Sequence, residues 1–341
     1  MTTPNVRRAG HFTDLDGMRG ILACMIMFFH LGLNGMIARL THGLLPGGLW
    51  TLSVDFFFIL SGFVLYRSLE RARPGLKAYF IKRVRRLAPM LWIGTLAMLA
   101  VSHVAFPPLA IAKNLAMVQS LGSVLHPWHP ALQGISIDPP AWSVPFELLL
   151  PALILPLLPR LARMGRVPVL VLIAIALVGD AVCAVWLAQG VDVQIARAVC
   201  GLGLGFALGR LWAIQPPGTP RPLLVLALFA GTLAIMALSL RAPWIAALFP
   251  ILATGSIMLG AQTVTLLSSA PFQAIGRWSY SIYLLHFPVL TLVGLTLGSA
   301  AGSIALKALV VLVTVALSAV TYRYVERPLM GGRERPAATA P

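Results

Sequence analysis

Acidic side chains are scarce in this chain: its 341 residues hold ten Asp and Glu against 26 Lys and Arg, and charged residues make up only 11% of the whole. A soluble globular domain carries roughly a quarter charged residues, so this composition excludes that class. Cysteine is rarer still. Cys24, Cys183 and Cys200 fall inside apolar runs and have no CxxC or other ligand spacing, so neither a disulfide framework nor a zinc site is implied. A P-loop, a GxSxG elbow, an HExxH pair and a metal-ligand cluster are all missing, and no metal is expected. Nor does a small-residue cleavage site follow the first apolar run, which therefore reads as a retained helix rather than a signal peptide.

What the chain has in quantity is apolar surface, at 58% hydrophobic residues. A spanning helix needs about 20 mostly apolar residues. Ten such stretches fit, at 17–38, 50–70, 86–106, 142–160, 168–188, 193–213, 222–240, 244–264, 277–297 and 303–325, separated by breakers such as Pro46-Gly47-Gly48, Pro107-Pro108 and Pro216-Pro217-Gly218. The expected fold is an all-α polytopic membrane protein with about ten transmembrane helices and both termini cytoplasmic. Residues 1–16 and 326–341 flank a transmembrane domain at 17–325. Basic residues test this count independently. A cytoplasmic N-terminus puts Arg7, Arg8, Arg67, Arg71, Arg73, Lys77 and the Lys82–Arg86 cluster inside, with most of the remaining arginines, and leaves Arg39, Lys113 and Arg241 outside, as the positive-inside rule demands. The net charge of +16 is then topology and contact with anionic lipid; nucleic acid is not expected as a partner. The longest connection, residues 107–141, falls outside and carries His126, Trp128 and His129.

Ionisable residues within spans are costly and mark candidate sites. His30 follows Arg19 by eleven residues, three helical turns, so the two share a face, with His30 about 16 Å further along. Asp55 and Glu147 fall near the outer ends of their helices, at depths like that of His30. A carboxylate beside an imidazole fixes its tautomer for general base work; equally, a lone histidine can bridge helices and either acid can cap a helix N-terminus. Arg83 and Arg86, three apart at the mouth of the third helix, can address one polyanion, or can simply mark the inner membrane edge. Gly201, Gly203 and Gly205 follow no strand, so they do not form a dinucleotide loop; Gly201, Gly205 and Gly209 make a close-packing helix face.

Together these residues resemble the acyltransferase-3 family of integral membrane O-acyltransferases. Leu15-Asp16-Gly17-Met18-Arg19-Gly20 with His30, Ser53 to Phe63, Lys82 to Arg86 with Pro89 and Trp92, Trp142-Ser143 with Glu147, Ser279 to His286, and Glu326-Arg327-Pro328 are similar to that family's motifs, in order along nearly the whole chain. Ala88, where an aromatic is usual, and Leu148 to Leu150 after the glutamate depart from the pattern. The resemblance implies transfer of an acyl group, commonly acetyl, from cytoplasmic acyl-CoA to a hydroxyl of a glycan, lipid-linked sugar or small natural product, in the cytoplasmic (inner) membrane. It implies His30, Glu147 and Asp55 as catalytic residues and Arg19, Arg83 and Arg86 as the CoA site. Trp142, Ser279, Tyr283 and His286 would line the substrate site. A transporter or flippase for an acylated or anionic substrate is the alternative, and a catalytically inactive relative a third reading; the repeated halves common in transporters are not seen.

Overall fold

The computed structural model describes residues 12–33, 35, 50–120, 135–191, 193–219, 221–297 and 303–330, and among them every regular element is helical. In chain order these are α1 (Thr13–His30), α2 (Leu52–Ala72), α3 (Leu76–Val101), α4 (Pro108–Leu115), α5 (Val144–Ile154), α6 (Leu158–Arg163), α7 (Arg166–Ala188), α8 (Gln194–Ile214), α9 (Pro222–Leu238), α10 (Phe249–Gly260), α11 (Ala270–Leu297), α12 (Ile304–Thr321) and α13 (Arg327–Leu329). Short 3₁₀ turns precede α5, α6, α10 and α11, and a π turn, Tyr322–Glu326, joins α12 to α13. Eight helical stretches among the described residues are long and apolar enough to cross a bilayer, and α9 is a shorter apolar helix. α1, whose first turns carry Asp14, Asp16 and Arg19, covers much of the first expected span, and the chain is an all-α polytopic membrane protein. Apolar side chains left exposed on α7 (Val171, Ile175, Val178) and α12 (Leu309, Leu312, Val320) are what a helix facing lipid presents.

Of the boundaries that differ from expectation, two bear on the site. α3 begins at Leu76 rather than 86, so the basic cluster lies within the helix, not at its mouth. Helical structure also continues past residue 325, through the π turn to Leu329. His126, Trp128, His129 and Arg39 lie outside the described residues.

The chain forms two compact units: residues 1–72 with 154–279, and residues 73–153 with 280–341. In the first, Leu22, Phe56, Ile59, Phe63, Leu204 and Phe249 are fully shielded in one apolar core. Its closest seam runs between α2 and α8. A Cβ added at Gly205 would stand 2.1 Å from the Ile59 carbonyl oxygen, and one at Gly62 2.4 Å from that of Leu202, so the two backbones touch where the glycines stand. The packing role expected for the α8 glycines is what the structure shows. The N-terminus of α1 is fixed by Asp14, which accepts from the Thr265 amide at 3.0 Å and from the Ser268 hydroxyl.

In the second unit the described parts of residues 107–141, expected as one external loop, fold back along α3. Trp92 Nε1 donates to the Leu115 carbonyl at 2.8 Å, nine residues and therefore about 13 Å short of the C-terminal end of α3. Asn114 binds both limbs of this segment, donating to the Ile135 carbonyl at 2.7 Å and accepting from the Ile137 amide at 3.1 Å. Gln119 donates to the Ala141 carbonyl at 2.8 Å and Ser120 to that of Trp142 at 2.7 Å. Between them Met117 takes a left-handed backbone, φ 59°, which turns the chain after α4.

Candidate active site

The re-entrant segment decides what α5 meets. From Asp138 the chain runs antiparallel to α3: a Cβ on Gly94 would stand 3.0 Å from Asp138 Oδ2, and further down Arg83 meets Glu147. Eleven residues of α3 separate Gly94 from Arg83, about 16 Å. Residues 138 to 147 descend about as far, the 3₁₀ turn Pro139–Ser143 rising faster than an α-helix. Glu147 therefore does not sit toward the opposite end of its span from Arg83, as the sequence suggests. Its Oε1 accepts from Arg83 Nη2 at 2.9 Å, and its backbone carbonyl accepts from the same nitrogen at 3.1 Å. The second bond has a covalent cause. Pro151, four residues on, has no N–H to give the Glu147 carbonyl, and the guanidinium takes that place. Arg83 is 7% exposed at its side chain and Glu147 21%, so the acid end stays reachable. Tyr79 anchors the same crossing by donating to the Leu148 carbonyl at 2.9 Å. Arg86 is half-buried one turn along α3, while Lys82 and Arg85 are exposed.

A hydroxyl cluster stands in the same unit. Tyr283 donates to the Pro140 carbonyl and lies 3.0 Å from the Ser143 hydroxyl. His286 is buried, its Nδ1 3.0 Å from the Ile282 carbonyl, which leaves Nε2 as its other polar atom. Trp142 is half-buried against Phe146, ring centroids 6.1 Å apart. Asp138 is fully buried, and among the described residues neither carboxyl oxygen has a hydrogen-bond partner.

In the first unit, Arg19 and His30 lie on α1 as expected, both half-buried, with Arg19 Nη1 3.9 Å from Asp16 one turn back. Asp55 is committed elsewhere. Arg197 of α8 binds both its oxygens, Nε to Oδ1 at 2.9 Å and Nη2 to Oδ2 at 2.7 Å, and both side chains are almost completely buried. Asp180 of α7, also buried and without a hydrogen-bond partner among the described residues, lies within electrostatic reach of Arg197 and Asp55. Ser279, the last residue of this unit, is buried on α11. Among the described residues no three His, Cys, Asp or Glu gather as metal ligands.

Sequence reasoning did not single out Arg197, Asp180, Asp138 or Tyr79. For Arg197 and Asp180 the signal was present, since both are ionisable residues inside apolar runs, the feature that marks Asp55. Nothing in the sequence flags Asp138, whose burial depends on the re-entrant segment.

The site can be set beside known proteins. Residues 12–323 match the acyltransferase domain family. The chain is 24% identical to the peptidoglycan O-acetyltransferase OatA of Listeria monocytogenes over 93% of its own length, and spans 55% of that protein. To the O-acetyltransferase OatA of Staphylococcus aureus (strain NCTC 8325 / PS 47) it is 22% identical, over 94% of this chain and 57% of the other. To the acyltransferase MdmB of Streptomyces mycarofaciens it is 27% identical, over 98% and 96%. No solved structure matches it. The motif order, the helical architecture and a family match over nearly the whole chain agree: this protein belongs to the acyltransferase-3 family of membrane acyltransferases.

Proposed function

We propose that this protein is an O-acyltransferase of the inner membrane that moves an acyl group, acetyl in the first instance, from cytoplasmic acyl-CoA to a hydroxyl on a glycan, lipid-linked sugar or small natural product. The observation that carries the reading is Arg83, a nearly buried guanidinium whose side-chain partner, Glu147, keeps an exposed edge, with Arg86 one turn away. Phosphates of CoA are the stronger anion for such a fork and exchange with the carboxylate on arrival. Arg19 adds a third cation to the donor site.

His30 takes the proton from the acceptor hydroxyl as its oxygen attacks the thioester carbonyl. The tetrahedral oxyanion is met by hydroxyl or imidazole donors, for which Tyr283, Ser279 and His286 are the candidates. Collapse breaks the C–S bond, the ester forms, and the departing CoA thiolate recovers the proton from His30. Trp142 lines the acceptor side. Glu147 acts through Arg83 as a positioning acid, and Asp55, through Arg197, holds α2 against α8.

The test is release of free thiol from acetyl-CoA by the purified protein in the presence of a hydroxyl acceptor. His30→Ala is expected to abolish release at unchanged membrane abundance, and Arg83→Ala with Arg86→Ala to weaken CoA binding by about a hundredfold, two charge-assisted contacts being lost. Binding of acetyl-CoA without turnover would instead favour a transporter, and normal release by the His30 variant would remove it from catalysis.

A further inference from the structure

α12 buries one stripe, Val310, Thr314 and Ser318, at four-residue intervals. On a regular helix each step of four overshoots a full turn by about 40°, so the stripe drifts sideways. The π turn Tyr322–Glu326 takes more residues per turn and cancels that drift, returning Glu326 to the buried side at 5% exposure, while Arg323, Tyr324 and Arg327 stay exposed. π turns are rare and recur at functional sites.

Inside, the carboxylate is held by hydroxyls. Ser281 donates to Glu326 Oε1, and Thr321 donates to Ser281 at 3.0 Å. Beside Ser281, Tyr280 gives its hydroxyl to the Leu87 carbonyl at 2.7 Å, on the residue after Arg86. The Tyr280 hydroxyl stands in the fields of four charges: Glu147, Glu326, Arg83 and Arg86. All belong to the second unit. Glu147 takes Arg83.

We propose that Glu326 is the positioning residue for Arg86, so that each guanidinium of the Arg83-x-x-Arg86 frame has its own carboxylate. Two guanidiniums one turn apart, one buried and one half-buried, repel each other; two glutamates make the pair neutral and let both arginines wait inside the protein before the donor arrives. The Thr321–Ser281 hydroxyls fix the carboxylate that faces Arg86, and the π turn is what brings it there. Glu326 touches no reacting atom. This rests on the reading of Arg83 and Arg86 as the CoA site.

Two measurements on the purified full-length protein separate the pair from its role. A double-mutant cycle of Arg86→Gln and Glu326→Gln, read by thermal unfolding, is expected to be non-additive, the double variant unfolding closer to the single variants than the sum of their shifts; additive shifts would overturn the pairing. Affinity for CoA, measured directly, is expected to fall about tenfold in Glu326→Gln, the loss of one charge-assisted contact, and to recover in part in Glu326→Asp. Ser281→Ala, the mildest change, should give a smaller loss and carries the test if Glu326→Gln does not fold. A coupled cycle with unchanged CoA affinity in all variants, Arg86→Gln included, would leave the pair standing and sink the CoA site.

Discussion

Asp55–Arg197 in the first unit and Glu147–Arg83 in the second are both acid–arginine pairs that join two helices, and they differ in what they leave open. Asp55 and Arg197 are 3% and 2% exposed at their side chains and satisfy each other through two bonds, with a further contact from Arg197 to the Thr51 carbonyl. Glu147 and Arg83 share a single side-chain contact, supplemented by a carbonyl that a proline has freed, and Glu147 remains 21% exposed. A sealed pair has nothing left to give a ligand; its charges were desolvated on folding and now hold α2 to α8. A pair with one reachable member can exchange partners. The same two functional groups thus serve as a structural tie in one place and as an anion site in the other, and burial rather than residue type separates the roles.

The comparison breaks first at the sealed pair. Asp55→Ala or Arg197→Ala alone strands a buried charge at a cost of about 3–5 kcal/mol. Extractable, monodisperse protein should fall sharply in either, and Asp55→Leu combined with Arg197→Leu should restore much of it. Single variants that purify and melt like the parent would show that the pair ties nothing. A smaller effect is expected at the seam that lets this pair close. Gly205→Ala drives a methyl into backbone on α2 and should cost about 1–3 kcal/mol, whereas Gly203→Ala, with nothing within 4 Å of the added Cβ, should be neutral or slightly stabilising; equal melting temperatures for the two would deny the close seam. The smallest effect in free energy belongs to the open pair. Glu147→Gln should lower the melting temperature less than either sealed-pair variant, because its acid end is still solvated, while lowering acyl transfer about tenfold, near 1.4 kcal/mol; a loss of folded protein as large as that of Asp55→Ala would make the two pairs alike.

Helix positions were legible because apolar runs of bilayer length are hard to mistake and the arginine asymmetry checks them. Depth was less legible. Counting from an assumed external loop placed Glu147 near the outer end of its span, while the fold-back of α4, set by the left-handed Met117 and the Asn114 clamp, delivers it to the level of Arg83. No periodicity encodes that, since α4 is only eight residues long and the bonds that pin it are single side chains to backbone. Arg83 and Glu147 were each singled out, but their contact was not, because it depends on Pro151 withdrawing a donor from one particular carbonyl. The partner of Asp55 was within reach of the same reading: Arg197 is an ionisable residue inside the apolar run of α8, the feature that marks Asp55 itself.

The Asp55–Arg197 tie also has a history in time. The two residues are 142 positions apart, and a ribosome adding about 5–20 residues per second needs roughly 7–30 s to pass from one to the other. Through that interval α2 must reside in or beside the bilayer with an acid whose counter-charge does not yet exist. Arrival of α8 ends the wait and closes the glycine seam in the same event. A chain truncated before residue 197 would keep that acid unanswered.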